Sequence, residues 1–158
     1  RYDLILPDVF ISSLTGTSYL YNREFFELCA QHLAPGGRMV MNVYLDTDVD
    51  RAIAKGVLEA FDYVDYLKIP YAGLGYLVAS NDPIVYPEAP WRDFADGEAT
   101  LARSRQLGLA TAASLADFKV LDQERLRRQL SEVRPSTDDH PIVDYLNFGG
   151  DARQALVQ

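Results

Sequence analysis

Residues 23–45 read REFFELCAQHLAPGGRMVMNVYL, and two periodicities meet in this stretch. Phe25, Phe26, Leu28, Cys29 and Leu33 share one face at helical spacing, with Glu24, Glu27 and Gln31 elsewhere. That pattern predicts an amphipathic helix. Asn22 is a good N-cap, and Glu24 sits in the first turn, where a carboxylate favours the helix dipole. Pro35, Gly36 and Gly37 end the helix. The mostly apolar run at 38–45, RMVMNVYL, then predicts a strand.

The same alternation continues on both sides. Upstream, residues 3–7 are a continuous apolar run and predict a fully buried strand, followed by a polar loop over 9–21. Downstream, Asp46, Thr47 and Asp48 supply a helix start. Val49, Ile53, Val57, Ala60 and Phe61 line that helix's core face, while Asp50, Arg51, Lys55 and Glu59 face water. Residues 62–69 and 76–80 predict two more strands, joined by so short a turn that they must be antiparallel. The order strand, helix, strand, helix, strand, strand fits the second half of a doubly wound α/β sheet. Its first two crossovers are right-handed and parallel, and an antiparallel hairpin closes it.

Residues 1–81 are accordingly expected to be the second half of a catalytic domain, with 82–158 a C-terminal helical extension packed on it. Residues 81–94 hold three prolines and read as a surface connection. Helices are expected over 95–107 and 122–132, the second with Asp122 as N-cap and Leu126, Leu130 and Val133 as its apolar stripe. In that scheme Gly73 and Gly75 are explained by the turn before the last strand.

Composition sets broad limits. The 158 residues fit one ordinary domain, and 48% of them are apolar, so a core can form. The formal charge of -8 argues against nucleic acid or an anionic membrane as partner and is compatible with a small cationic substrate. Cys29 is the single cysteine, so no intrachain disulfide exists and a reducing compartment, the cytoplasm, is expected. It reads as a core residue. No apolar stretch approaches the roughly 18 residues that span a bilayer, so no membrane contact is expected from this segment.

Ligands of open α/β sheets bind beyond the carboxyl ends of the strands. Asp8 lies at such an end, ahead of a long polar loop. A carboxylate there could accept a proton or hold an ammonium group, or it could cap a turn beside Pro7. Tyr71 follows the third strand at the same edge, where its phenol could face a ligand. Asp138, Asp139 and His140 do not converge as metal ligands, since neighbours in an extended segment point to opposite faces. A turn ahead of Pro141 is the better reading, and no metal is expected.

Three segments together, YDLILPDVF at 2–10, NREFFELCAQHLAPGGRMVMNV at 22–43 and IPYAGLGYLVAS at 69–80, resemble the second half of the spermidine synthase family of aminopropyltransferases. TDDHPIVDY at 137–145 resembles the TDD-x-P ending of the family's bacterial spermidine synthase-like branch. The resemblance implies a Rossmann-like sheet of the S-adenosylmethionine-dependent methyltransferase type. It implies transfer of an aminopropyl group from decarboxylated S-adenosylmethionine to a diamine. Asp8 would then be the base, and Tyr71 would line the diamine site. A homo-oligomer is expected by the same resemblance.

The chain departs from that family in two places. Ile11 stands where the family has a second acid, three residues beyond the strand-end Asp; Asp46 or Asp48, at the next strand end, is the candidate replacement. The Gly-rich loop and the acid that hold the nucleoside are not among these residues, so the chain is expected to belong to a longer protein, with an unpaired strand edge of its own. A methyltransferase using S-adenosylmethionine itself and a non-catalytic relative of the same fold are the alternatives.

Overall fold

The computed structural model describes residues 1–7, 18–69, 73–86, 102, 106 and 115–142. Its elements are β1 (Tyr2–Ile5), α1 (Arg23–His32), β2 (Leu33–Asn42), α2 (Asp48–Ala60), β3 (Tyr63–Ile69), β4 (Leu74–Ser80), β5 (Lys119–Leu121) and α3 (Gln123–Gln129). The strands form one sheet in the order β1-β2-β4-β3-β5. β1 runs parallel to β2, while β4 is antiparallel to both β2 and β3, so β3 runs parallel to β2. This is the mixed α/β half sheet with a β3–β4 hairpin that the sequence predicts.

The hairpin does not extend the sheet outward. β4 slots between β2 and β3, pairing with β3 along all seven residues. Burial explains the order. β4 carries no charged residue, whereas β3 carries Asp65 and the exposed Lys68 and takes the outer place. β5, too short to give a sequence signal, pairs with β3 beyond it.

Strict alternation assigns the two faces. Met39, Met41, Val64, Tyr66, Leu77 and Ala79 pack with Phe26, Ile53, Val57 and Phe61 of the helical layer, joined by Leu126 and Leu130 at α3. Leu67, Val78 and Phe118 form a smaller cluster on the opposite face, where Val40, Ile84 and Tyr86 cover them. α1 crosses α2 at Gly56, where a Cβ would meet the Phe26 ring at 3.2 Å. Asp122 caps α3 by accepting from the Arg125 N–H, as its position predicts. Among the described residues no helix is long and apolar enough to cross a membrane.

Several expectations need correction. β1 is not the fully buried strand its apolar run predicts: Leu4 is 52% exposed, and Tyr2 and Leu6 are open as well, because among the described residues β1 has no partner beyond it, which is the unpaired edge expected of a half sheet. Leu28 is also 52% exposed despite its helical spacing, since nothing in the described residues packs beyond α1 on that side. Between them lies an apolar groove of about 420 Å³, lined by Tyr2, Leu4, Ile5, Phe25, Leu28 and Cys29 among others. The segment Leu33–Gly37 does not simply end α1. It bulges from β2, so that Leu33 and Arg38 face Tyr2 and Leu4. Gly36 takes a left-handed φ of 73° there, its N–H donates to Asp82 Oδ2 at 2.7 Å, and the Ser80 hydroxyl donates to the Gly37 carbonyl. The helix expected over 95–107 lies, apart from residues 102 and 106, outside the described residues.

Candidate active site at the carboxyl end of the sheet

The carboxyl ends of β1, β2 and β3 and the start of β4 share one edge of the sheet. Two of the residues singled out there, Asp8 and Tyr71, lie outside the described residues, as does Ile11. Asp46 is described. It is exposed just beyond the end of β2, between the strand and the N-terminus of α2.

Local chemistry leaves the Asp46 carboxylate available. Asp50 is committed to a capping box, accepting from Thr47 while its own N–H donates to Thr47 Oγ1. Asp48 pairs with Arg51 at 3.7 Å. Asp46 has neither a hydrogen bond nor an ion pair among the described residues.

Beneath Asp46 sits a residue that no sequence signal marked. Tyr66 is 4% exposed, and its hydroxyl donates to the Tyr44 carbonyl at 3.0 Å. Burial holds the phenol above its usual range, and the negative charges of Asp46 and Asp50 and the nearby Tyr44 push it in the same direction. Tyr66 therefore stays protonated around neutral pH and acts as a donor. Those charges also tie Asp46 electrostatically to the buried floor of the site.

Two backbone features shape that floor. Leu45 has φ 63°, a left-handed conformation that costs an ordinary L-residue about 1–2 kcal/mol. It lies between Tyr44, whose carbonyl Tyr66 holds, and Asp46. Gly75 is not a turn glycine as its sequence context suggests. It is buried in β4, and a Cβ there would collide with the Tyr66 hydroxyl and the Val43 carbonyl. Its own carbonyl accepts from Asn42 Nδ2 and from the Val43 N–H, both at 2.9 Å. The end of β2 is thus locked to the start of β4, and the strained turn from Tyr44 to Asp46 projects from that lock.

The second motif region behaves differently. Thr137 and His140 exchange backbone hydrogen bonds in a tight turn before Pro141. Among the described residues no group of His, Cys, Asp and Glu is arranged to hold a metal ion. Asn22 occupies the N-cap position of α1 without capping it. Its side chain instead meets Ser136 and Asp138.

No family model matches the chain. Among solved structures it is similar to a probable spermidine synthase from Corynebacterium glutamicum ATCC 13032, with a TM-score of 0.56 and 24% identity. The match covers 86% of this chain and 47% of that one, so this chain spans about half the length of the protein it resembles. At this identity the likeness is one of fold: the chain shares the mixed α/β arrangement of the matched part of that protein.

Proposed function

We propose that this chain supplies the amine-acceptor side of a spermidine synthase-like transferase, which moves an aminopropyl group from decarboxylated S-adenosylmethionine to a diamine. The carrying observation is Asp46, a carboxylate without a partner among the described residues, raised by the Leu45 turn at the carboxyl edge of the sheet, above a buried tyrosine donor. An overall charge of -8 and a probable spermidine synthase of similar fold support the same reading.

The chemistry asks for two carboxylates. A diamine is doubly protonated near neutral pH, and its attacking nitrogen must lose a proton to free its lone pair. Asp8 takes that proton. The nitrogen attacks the aminopropyl carbon bound to the sulfonium, the C–S bond breaks, and its electron pair returns to sulfur, leaving methylthioadenosine. Asp46 holds the far ammonium, the role left open by Ile11. The diamine is thereby fixed in line with the C–S bond, which converts binding into orientation. Tyr71 lines the same site.

Kinetics with the full protein test these roles. Asp8→Asn should lower kcat by about a hundredfold or more, the scale of a lost general base. Asp46→Asn should mainly raise KM for the diamine, because it removes a binding charge. Wild-type kinetics in both variants contradict the assignment. The second reading, methyl transfer from S-adenosylmethionine, draws on Ile11, since a methyl acceptor need not be a dication. Methyl transfer without aminopropyl transfer decides for it.

A further inference from the structure

Asp46 stands on a short bridge of backbone that is held at both ends. On the near side the Tyr66 hydroxyl donates to the Tyr44 carbonyl at 3.0 Å. On the far side Thr47 is fixed by its capping box with Asp50, and its carbonyl accepts from the Arg51 N–H at 3.1 Å. Between those points Leu45 takes its left-handed φ of 63°, which its residue type does not favour. A conformation of that kind persists only where its surroundings impose it. The far hold is local, the ordinary start of a helix. The near hold is tertiary: it reaches from the interior of β3 to the residue two before Asp46. It passes β4 at Gly75, where any Cβ would collide with the Tyr66 hydroxyl. Glycine at 75 therefore leaves the space in which this one bond can form.

The carboxylate and the phenol are also close enough to feel each other. After burial, the charge of Asp46 is the strongest influence that raises the Tyr66 phenol, ahead of Asp50. We propose that Tyr66 is a positioning residue for Asp46: by holding the Tyr44 carbonyl it fixes the left-handed turn, and with it the point at which the carboxylate meets the far ammonium of a diamine. The preference for a diamine over a monoamine then depends on a residue buried beneath the site. This rests on the amine-acceptor reading for its consequence in recognition, and on the hydrogen bond and the turn alone for the positioning.

The test uses the full protein with Tyr66→Phe, Asp46→Asn and the two combined. Tyr66→Phe should lower the nuclear-relaxation order parameters of the Leu45 and Asp46 amides from about 0.85 to below about 0.6, with the buried Val57 and Leu77 unchanged. It should raise KM for a diamine about fivefold and leave kcat within about twofold. KM for a monoamine of the same length, which offers Asp46 no second ammonium, should stay within about twofold. In the Asp46→Asn background the same substitution should change the diamine KM by less than about twofold, because the group it places is gone. Order parameters that are unchanged at Leu45 and Asp46, or that fall equally at Val57 and Leu77, overturn the positioning. Order lost at the turn with an unaltered diamine KM, or with a KM raised as much in the Asp46→Asn background, overturns the role in acceptor choice. If the unsubstituted protein transfers no aminopropyl group, the amine-acceptor reading falls together with that role, and the order parameters still judge whether Tyr66 holds the turn.

Discussion

The Tyr66 hydroxyl holds the Tyr44 carbonyl at 3.0 Å, and this bond joins the interior of β3 to the strained turn that follows β2. Tyr66→Phe keeps the ring and removes the donor. The carbonyl loses its protein partner, which should cost about 1 kcal/mol. Urea denaturation at neutral pH measures this, and an unchanged midpoint would show that water replaces the bond without loss.

The turn itself makes a sharper prediction. Leu45 is half-buried and packs against the main core, so any truncation loses some contact. Leu45→Ala and Leu45→Gly lose nearly the same contact, but only glycine adopts φ 63° without strain. The glycine variant should therefore be more stable than the alanine variant by about 1 kcal/mol, the reverse of their usual order. Alanine equal to or better than glycine would mean that the left-handed turn is not maintained.

Cys29 shows what burial does to an unused nucleophile. Its thiol is pushed up from 9.0 to about 11 by burial alone. At pH 8 about one molecule in a thousand then carries the thiolate, against roughly a tenth for a thiol at its ordinary 9.0. Alkylation of the folded protein should be at least about a hundredfold slower than after unfolding. The folded value lies above the unfolded one, so the proton is held more tightly in the fold. Its contribution to stability is full below pH 9.0 and is lost as pH rises through about 11. Fast alkylation at pH 8 would contradict the buried placement.

The exposed edge has a physical consequence of its own. Leu4 on β1 and Leu28 on α1 flank an apolar groove beside strand backbone that has no partner among the described residues, an arrangement prone to self-association. The chain spanning 1–158 should associate as its concentration rises. Leu4→Lys with Leu28→Lys should shift it toward monomer, as read by sedimentation. An unchanged mass distribution would mean that the groove is already covered.

These cases show which features a sequence displays. α2 is legible because Asp46, Thr47 and Asp48 mark a helix start and Val49, Ile53, Val57, Ala60 and Phe61 repeat at helical spacing, while the part of Asp50 in its capping box emerges from the structure. α3 was readable through Asp122 for the same reason. Leu28 misled because spacing identifies a face but not whether anything packs against it. The place of β4 could not be read, because strand order depends on competing burial and not on local pattern. Pro35, Gly36 and Gly37 read as a helix stop and also belong to the bulge that begins at Leu33, a residue whose spacing places it on the helix, since the same Pro and Gly residues serve both. In the site, Asp46 was visible as an acid at a strand end. Tyr66 was hidden in ordinary strand alternation, and Leu45 carries no residue signal for its positive φ. The N-cap preference of Asn22 predicted its position correctly and its partners wrongly, for those lie at Ser136 and Asp138.

The central claim is aminopropyl transfer with Asp46 as the second carboxylate, and one measurement bears on it most directly. The full protein is incubated with decarboxylated S-adenosylmethionine and a panel of diamines, and products are identified by mass spectrometry, with Asp46→Asn run in parallel. The account predicts an acceptor heavier by one aminopropyl group together with methylthioadenosine, and a KM for the diamine raised about tenfold or more by Asp46→Asn, as expected for a lost charged contact. No aminopropyl product from any diamine, or a product whose formation is indifferent to Asp46→Asn, would contradict it.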